Sequence, residues 1–243
     1  MNDIAIIAII IYMATTIKTK QENINGRNVI FLFVESFKDN ERVSKVRDSL
    51  ADDSWVSKLS DSLKQSYEKR IEITLKDFDS KIKDKKEDAL LSYIGEKIVT
   101  ICANNAIDEE LHYQKLPLGE VFKSRASGNG GFDYFNEDLS KYILIFGEGK
   151  YVNGVNAYNK AFCQISDFIN EGKDVIDIGD LANLVDQQTI DNFVNEKMFS
   201  AGFSVYSAED KIDEIIKNIK ENDYFVNLVS KYDLIIVGVL FND

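Results

Sequence analysis

The chain has 243 residues, 44% of them hydrophobic and 11% aromatic, so it can bury a sizeable core and is not a disordered chain. Its formal net charge is −12, and the charge is uneven: residues 1–87 hold 16 Lys and Arg against 15 Asp and Glu, whereas residues 88–243 hold 13 against 26. Because Lys and Arg supply most non-specific affinity for phosphate, this chain is a poor independent binder of nucleic acid, and a DNA substrate would require a metal, a local basic patch or a partner protein.

An apolar run at Ile4–Met13 has some features of a membrane segment. It is about half of the ~20 residues needed to span a bilayer, it follows an acidic start, and no small-residue cleavage site follows it. Its isoleucines are β-branched, so the run is predicted to form a fully buried strand. No membrane association is expected.

Residues 1–87 are predicted to form an N-terminal α/β region of unknown role. A second strand is predicted over Asn28–Glu35, with helices over about 40–50 and 54–69, where apolar residues recur at helical spacing. The charged stretch Lys81–Glu87 marks either a domain boundary with a solvated turn or the exposed end of a helix.

Residues 88–243 alternate helices with strands, which favours an α/β fold, with α+β as the alternative, in which helices flank a mixed sheet. Whether this part is a separate domain or continuous with residues 1–87 stays open. The predicted elements are helices over about 87–104 and 155–170, strands over Phe199–Tyr206 and Tyr232–Phe241, and a helix opened by a capping box at Ser207–Asp210.

Several common types of site are excluded by residue counts and spacing. Cys102 and Cys163 lie inside helical patterns, so neither a disulfide framework nor a CxxC zinc site is predicted, and a reducing, cytoplasmic setting fits best. His112 is the only histidine, and neither a His-based zinc site nor a nucleophilic triad has support. The loop at Gly128–Gly131 lacks the nucleotide-binding glycine spacings.

The stretch GGFDYFNEDLSKYILIFGEGKY, residues 130–151, is predicted to form a hairpin of two antiparallel strands, Phe132–Asn136 and Tyr142–Lys150. Pairing across this hairpin places Asp133 opposite Glu148 and Lys150. Side chains alternate along a strand, so Glu148 and Lys150 point to the same side, and Gly149 between them leaves the backbone open. Two carboxylates and one ammonium are thus predicted to converge.

This set of groups suits a hard cation. Asp133, Glu148 and the main-chain carbonyl of Gly149 are the kinds of ligand that hold Mg²⁺ or Mn²⁺ and leave room for water and a phosphate oxygen. The metal would lower the pKa of a bound water, and Lys150 would orient or deprotonate that water. The reaction such a site serves is phosphodiester hydrolysis; the structural alternative is a surface ion pair contributing ~0–1 kcal/mol.

The tripeptide Glu-x-Lys is a weak signal by itself in a chain with 29% charged residues. Glu171-Gly172-Lys173 repeats it without a preceding apolar strand, and Glu209-Asp210-Lys211 is a further match. The hairpin copy differs because an apolar strand precedes it and an acidic residue lies at hairpin distance. Its position at the end of a strand predicted to be buried favours a site over a surface pair.

These residues resemble the PD-(D/E)xK phosphodiesterase superfamily, through Gly131-Phe132-Asp133 and through Ile143–Tyr151 (ILIFGEGKY). Within that superfamily they are most similar to the nuclease subunits of Hachiman anti-phage defence systems. The resemblance covers about residues 88–170 and implies a restriction-endonuclease-like core, Mg²⁺-dependent cleavage of DNA and a helicase subunit as partner. Phe132 stands where the superfamily usually has proline.

The resemblance also implies that Glu96, in Ile94-Gly95-Glu96, is a third acidic residue of the metal site. The alternative for Glu96 is a solvated position on its helix. Gln164, on the following helix, either faces the site or is a polar residue on the outer face of that helix. Lys123 and Arg125 either contact phosphate or belong to a charged loop.

With this resemblance, the sequence predicts a metal-dependent deoxyribonuclease, and the resemblance implies that it is the effector of an anti-phage defence system. The alternative is a non-catalytic subunit that keeps the nuclease fold to bind a helicase or another protein, which the acidity of residues 88–243 favours.

Overall fold

The computed structural model describes residues 15–123 and 130–241. The predicted strand Ile4–Met13, Arg125 and the first two residues of the glycine loop, Gly128 and Asn129, lie outside these ranges. Within them, seven strands form one mixed sheet with helices on both faces. This is the α/β architecture that the alternation of helices and strands predicts.

The described strands are β1 (Thr16–Ile24), β2 (Arg27–Glu35), β3 (Gln114–Lys115), β4 (Tyr134–Asp138), β5 (Ile143–Lys150), β6 (Met198–Val205) and β7 (Asp233–Leu240). The described α-helices are α1 (Asp39–Ala51), α2 (Asp61–Asp84), α3 (Glu87–Leu111), α4 (Gly119–Phe122), α5 (Tyr158–Asn170), α6 (Lys173–Leu181), α7 (Gln187–Asn192), α8 (Ile212–Lys220) and α9 (Asp223–Val229). Short 3₁₀ turns span Ser54–Lys58 and Glu209–Lys211.

The strand order in the sheet is β1-β2-β7-β6-β5-β4-β3. The central strands β2, β7, β6 and β5 run parallel, and β1 and β4 add antiparallel partners on either side. Val29 of β2 lies opposite Leu234 of β7, and Glu35 lies opposite Leu240. The first 87 residues therefore contribute two strands to the same sheet as the rest of the chain.

The helices α3 and α5 cover opposite faces of this sheet. Gly202 of β6 leaves room for Ala103 of α3, whereas its neighbour Phe203 packs edge-on against Tyr158 of α5. Successive side chains of a strand point to opposite faces, so the two helices enclose the sheet. The central strands are buried from both sides, which explains their nearly continuous apolar sequences.

Most of the predicted elements are confirmed. The strands predicted over 28–35, 199–206 and 232–241 form β2, β6 and β7, and both strands of the predicted hairpin form β4 and β5. The helix predicted over 87–104 continues to Leu111, because the apolar pattern does not mark its end. None of the helices in the described ranges combines the length and apolarity required of a transmembrane span.

Two predictions of helices were wrong in detail. Residues 54–69 do not form one helix: a 3₁₀ turn ends at Lys58, Leu59 and Ser60 are extended, and α2 runs from Asp61 to Asp84. The capping box at Ser207 does not form either, because the Ser207 hydroxyl accepts a hydrogen bond from the Asn156 amide and the helix entry at Ala208 has no side-chain cap. The stretch 81–87 contains the end of α2 and a short turn into α3.

Two glycines let β5 approach its neighbours closely. A Cβ on Gly147 would lie 2.1 Å from the ring of Tyr134 on β4, and a Cβ on Gly149 would lie 2.3 Å from Oγ1 of Thr100 on α3. Separations below about 3.0 Å do not occur for real Cβ atoms. Any side chain at either position therefore displaces the tyrosine or the helix and alters how the hairpin sits under α3.

The substitution Gly147→Ala is expected to lower the free energy of unfolding by about 1–3 kcal/mol, because overpacking forces the Tyr134 ring or the backbone to shift. Urea unfolding followed by circular dichroism measures the change. Gly179→Ala is the matched control: nothing lies within 4 Å of its added Cβ, and it is in α6, so it should be neutral or stabilising. Equal urea midpoints for Gly147→Ala and the wild type would contradict the packing described for β4 and β5.

Candidate functional site

The register of the hairpin brings Asp133 to the end of β5, as predicted. Tyr134 lies opposite Gly147, and the amide of Asp133 donates a hydrogen bond to the carbonyl of Gly147 at 2.8 Å. One carboxylate oxygen of Asp133 then accepts a hydrogen bond from the amide of Gly149 at 3.1 Å. The Asp133 carboxylate is thereby held against the backbone that carries Glu148.

An ion-pair network links the hairpin to α3. Nζ of Lys150 lies 2.9 Å from Oε1 of Glu148 and 2.6 Å from Oε1 of Glu96. The side chain of Glu148 is 1% exposed, whereas that of Glu96 is 42% exposed. Glu96 is thus partly solvated and also part of the network, and α3 delivers its carboxylate to the hairpin.

Glu148 is the most constrained ionisable group of this network. Its Oε2 is buried and has no hydrogen-bond partner among residues 15–123 and 130–241. Burial raises the pKa of Glu148 well above its ordinary value, and the nearby carboxylate of Asp133 raises it further, against the opposing effect of Lys150. The ionised form of Glu148 therefore lacks part of the positive charge or hydrogen bonding that its burial requires.

For the pKa of Lys150, nearby charges outweigh the effect of burial. Burial lowers the pKa of its ammonium, but the carboxylates of Glu148 and Glu96 outweigh that effect, and the pKa lies above its ordinary value. Lys150 consequently keeps its proton at neutral pH. In this arrangement it is equipped to donate hydrogen bonds to an anion or a water rather than to take up a proton.

A second network fixes the residue before Asp133. Nζ of Lys123 lies 2.7 Å from a carboxylate oxygen of Asp177 and 2.5 Å from the carbonyl of Phe132, and the same Asp177 oxygen accepts from the amide of Phe132 at 3.0 Å. Both main-chain groups of Phe132 are therefore held. Lys123, a candidate contact for phosphate, has its ammonium engaged in this buried ion pair.

Phe132, the residue directly before Asp133, is anchored by its ring. It is 1% exposed and packs against the rings of Phe146, Phe168 and Phe199 at centroid distances of 5.3 to 5.6 Å. Aromatic burial thus stabilises the backbone just before Asp133. Gln164, the other residue considered for the site, lies partly buried on α5.

Lys97 and Glu120 form an ion pair beside the site that was not predicted from the sequence. Gly119, next to Glu120, donates its amide to the carbonyl of Asp133 at 2.9 Å, so the pair adjoins the hairpin. Burial lowers the pKa of Lys97, but Glu120 and Asp133 outweigh it and raise the pKa overall. The sequence signal for this ion pair was a lysine directly before the buried run that begins at Ile98.

The side chains of the site supply the kind of ligand atoms that a hard cation prefers. Asp133 and Glu148 supply carboxylate oxygens, and the partnerless Oε2 of Glu148 is the kind of buried atom that a cation would satisfy. Glu96 is held at present by the ammonium of Lys150. In the part of the chain that the structure describes, no three His, Cys, Asp or Glu side chains are grouped closely enough to hold a metal by themselves.

The substitution Glu148→Gln is expected to stabilise the protein at neutral pH in the absence of divalent cations. Folding raises the pKa of this carboxyl above its ordinary 4.5, so the folded protein retains a proton that the unfolded chain releases. The wild type should thus lose stability relative to the variant as the pH rises above about 4.5 towards the folded pKa.

Urea unfolding in EDTA between about pH 4.5 and pH 8 tests this dependence. Glu171→Gln, at a glutamate whose side chain is 61% exposed, is the matched control and should follow the wild type. A Glu148→Gln variant whose stability parallels that of the wild type at every pH would show that burial of Glu148 carries no ionisation penalty.

Comparison of the chain with protein-family models and with curated proteins found no match. The resemblance to PD-(D/E)xK enzymes therefore rests on the hairpin residues and on Glu96. Function has to be inferred from the contacts that these residues make.

Proposed function

We propose that this protein is a metal-dependent nuclease that hydrolyses phosphodiester bonds of DNA, with α3, the β4–β5 hairpin, β6 and α5 as a restriction-endonuclease-like core. The observation that carries the proposal is Glu148, a buried carboxylate with one oxygen lacking a partner, beside Asp133 and Lys150. Leaving such an atom buried and unpaired costs about 1–3 kcal/mol or more. A site that needs the free oxygen for a ligand accounts for that cost; a structural ion pair does not.

Asp133 and Glu148 would hold the ion, Mg²⁺ or Mn²⁺, with the main-chain carbonyl of Gly149 and with Glu96 as a further carboxylate. When bound, the ion supplies positive charge to the phosphate and lowers the pKa of a bound water. The fold prepares the ligands: the Gly149 amide orients Asp133, and β5 fixes Glu148.

Lys150 would donate hydrogen bonds to the phosphate or to the attacking water. Its ammonium sits between two carboxylates that keep it protonated, so it contributes a fixed positive charge and not a base. Glu96 positions that ammonium from α3. These groups are set by strand register and helix packing before any substrate arrives, which is the arrangement that electrostatic catalysis requires.

The biological setting is a further part of the proposal and depends on the resemblance alone. We propose that the protein acts in the cytoplasm as the effector of an anti-phage defence system, restrained or delivered by a helicase subunit. Cys102 and Cys163, on different helices, are free thiols, as a reducing compartment would keep them.

A non-catalytic role is the second candidate, and one observation favours it. Glu148 is 1% exposed, and the ammonium of Lys150 already lies between it and Glu96, so a substrate must displace this network to reach the buried carboxylate. A subunit that uses its acidic surface to bind a protein partner would not need to open this ion-pair network.

Plasmid cleavage with Mg²⁺ or Mn²⁺ distinguishes the two candidates. Glu148→Gln and Lys150→Met are each expected to lower the cleavage rate by about 100-fold or more, the scale of loss of a charged group that acts on the transition state. EDTA should abolish cleavage by the wild type.

The chain supplies its own control for this assay. Glu171 and Lys173 form the same Glu-Gly-Lys tripeptide, with their charged atoms 3.7 Å apart at the start of α6. The double variant Glu171→Gln, Lys173→Met should cleave like the wild type. Full activity in a Glu148→Ala, Lys150→Ala double variant would contradict the proposed mechanism. Calorimetry that detects no metal binding would favour the non-catalytic role.

A further inference from the structure

Within the described residues, three lysine ammonium groups converge on the ring of Tyr93 on α3. Nζ of Lys81 and of Lys85 each lie 5.3 Å from the ring centroid, and Nζ of Lys97 lies 5.8 Å from it. The face of an aromatic ring carries negative charge that attracts cations at this range. The ring therefore attracts all three ammonium groups to one place on the surface.

These lysines come from three segments that meet at one corner of the fold. Lys81 lies in the last turn of α2, Lys85 in the turn that follows, and Lys97 in the third turn of α3. Lys81 pairs with Asp77, and Lys97 with Glu120. For Lys85, no carboxylate lies within ion-pair distance among residues 15–123 and 130–241.

The same corner adjoins the candidate site. Tyr93 and Lys97 are four residues apart on α3 and so lie on one face of the helix, and Glu96 is the residue directly before Lys97. Glu120, the partner of Lys97, follows Gly119, whose amide binds the carbonyl of Asp133. The α2–α3 turn is thus linked to the hairpin through the Lys97–Glu120 ion pair.

We propose that Lys81 and Lys85, held beside the Tyr93 ring that Lys97 also contacts, bind neighbouring phosphates of the nucleic-acid strand that enters the candidate site. The inference rests on the proposed function for the identity of the polyanion. It identifies the α2–α3 corner as the local basic patch that an acidic chain needs for a DNA substrate.

The spacing of the ammonium groups suits a backbone. Because Lys81 and Lys85 each lie 5.3 Å from the same centroid, their Nζ atoms are at most about 11 Å apart. This upper limit keeps both ammonium groups within reach of neighbouring phosphates of one strand. Lys83 and Lys86 are exposed in the same segment, interspersed with the exposed carboxylates of Asp84, Glu87 and Asp88.

Binding of fluorescently labelled 20-nucleotide duplex and single-stranded DNA, measured by anisotropy in EDTA, tests the inference without cleavage. The Lys81→Gln, Lys85→Gln variant is expected to bind roughly tenfold more weakly near 0.1 M salt. Its plot of log K against log salt concentration should be shallower by about 1–2 units, since each lost phosphate contact removes up to about 0.9.

Lys217→Gln, Lys231→Gln removes two positive charges elsewhere and is the matched control. These lysines are exposed on α8 and just after α9, on the side of the sheet that α5 covers. The control should bind like the wild type. Equal losses in both variants would show a dependence on net charge only and would overturn the inference.

Tyr93 provides a second test that leaves every lysine in place. Tyr93→Phe keeps the ring and should bind DNA like the wild type, whereas Tyr93→Leu removes the ring face and should weaken binding by roughly threefold. Circular dichroism establishes that both variants fold. Equal binding by the folded Phe and Leu variants would contradict the role of the ring.

The outcomes separate this inference from the nuclease proposal. Binding that depends on Lys81 and Lys85 supports the patch even where the wild type cleaves nothing with Mg²⁺ or Mn²⁺, a result that would reject the nuclease proposal alone. Cleavage that depends on Glu148, with unchanged DNA binding by the Lys81→Gln, Lys85→Gln variant, would overturn the patch alone. A wild type that binds neither DNA at low salt also overturns it.

Discussion

The burial of Glu148 in the middle of a sheet is the constraint on which the candidate site depends. Glu148 pairs with Ala201 of β6, so the sheet fixes the backbone that carries this carboxylate, and its side chain is 1% exposed. Lys150 compensates one of its oxygens and leaves the other without a partner. The free-energy cost of burying this carboxylate is offset by the strands β2 and β7, whose buried side chains are apolar.

Elements with a strong apolar signal could be predicted from the sequence, and elements without one could not. β2 and β7 are continuous runs of Val, Ile, Leu and Phe, which few structures other than a buried strand accommodate. β1 was missed because it is an edge strand whose polar side chains alternate with partly buried ones. Asn25 and Gly26, with φ of 55° and 82°, form the turn that joins it to β2, and this Asn-Gly pair was an available hairpin signal.

The residues of the candidate site also differ in whether they could be predicted from the sequence. Asp133, Glu148 and Lys150 lie on one hairpin, where a local turn fixes the pairing, so counting residues was enough to bring them together. Glu96 was found by resemblance. Lys97 and Tyr93 reach the site only because α3 packs across the sheet, and the angle of that packing depends on contacts between side chains far apart in sequence, such as Thr100 against Gly149.

Net charge and local charge act on a polyanion over different distances. At about 0.1 M salt the Debye length is ~10 Å, so the −12 of the whole chain opposes a distant strand only weakly, while lysines in contact with phosphate act with little screening. For the proposed nuclease, the acidity would therefore affect chiefly the rate of encounter with DNA, whereas the proposed lysine contacts would determine where a captured strand lies. An acidic nuclease with such a patch would gain most from a partner that brings DNA to it, since the partner replaces the missing attraction at long range and the patch supplies it at short range.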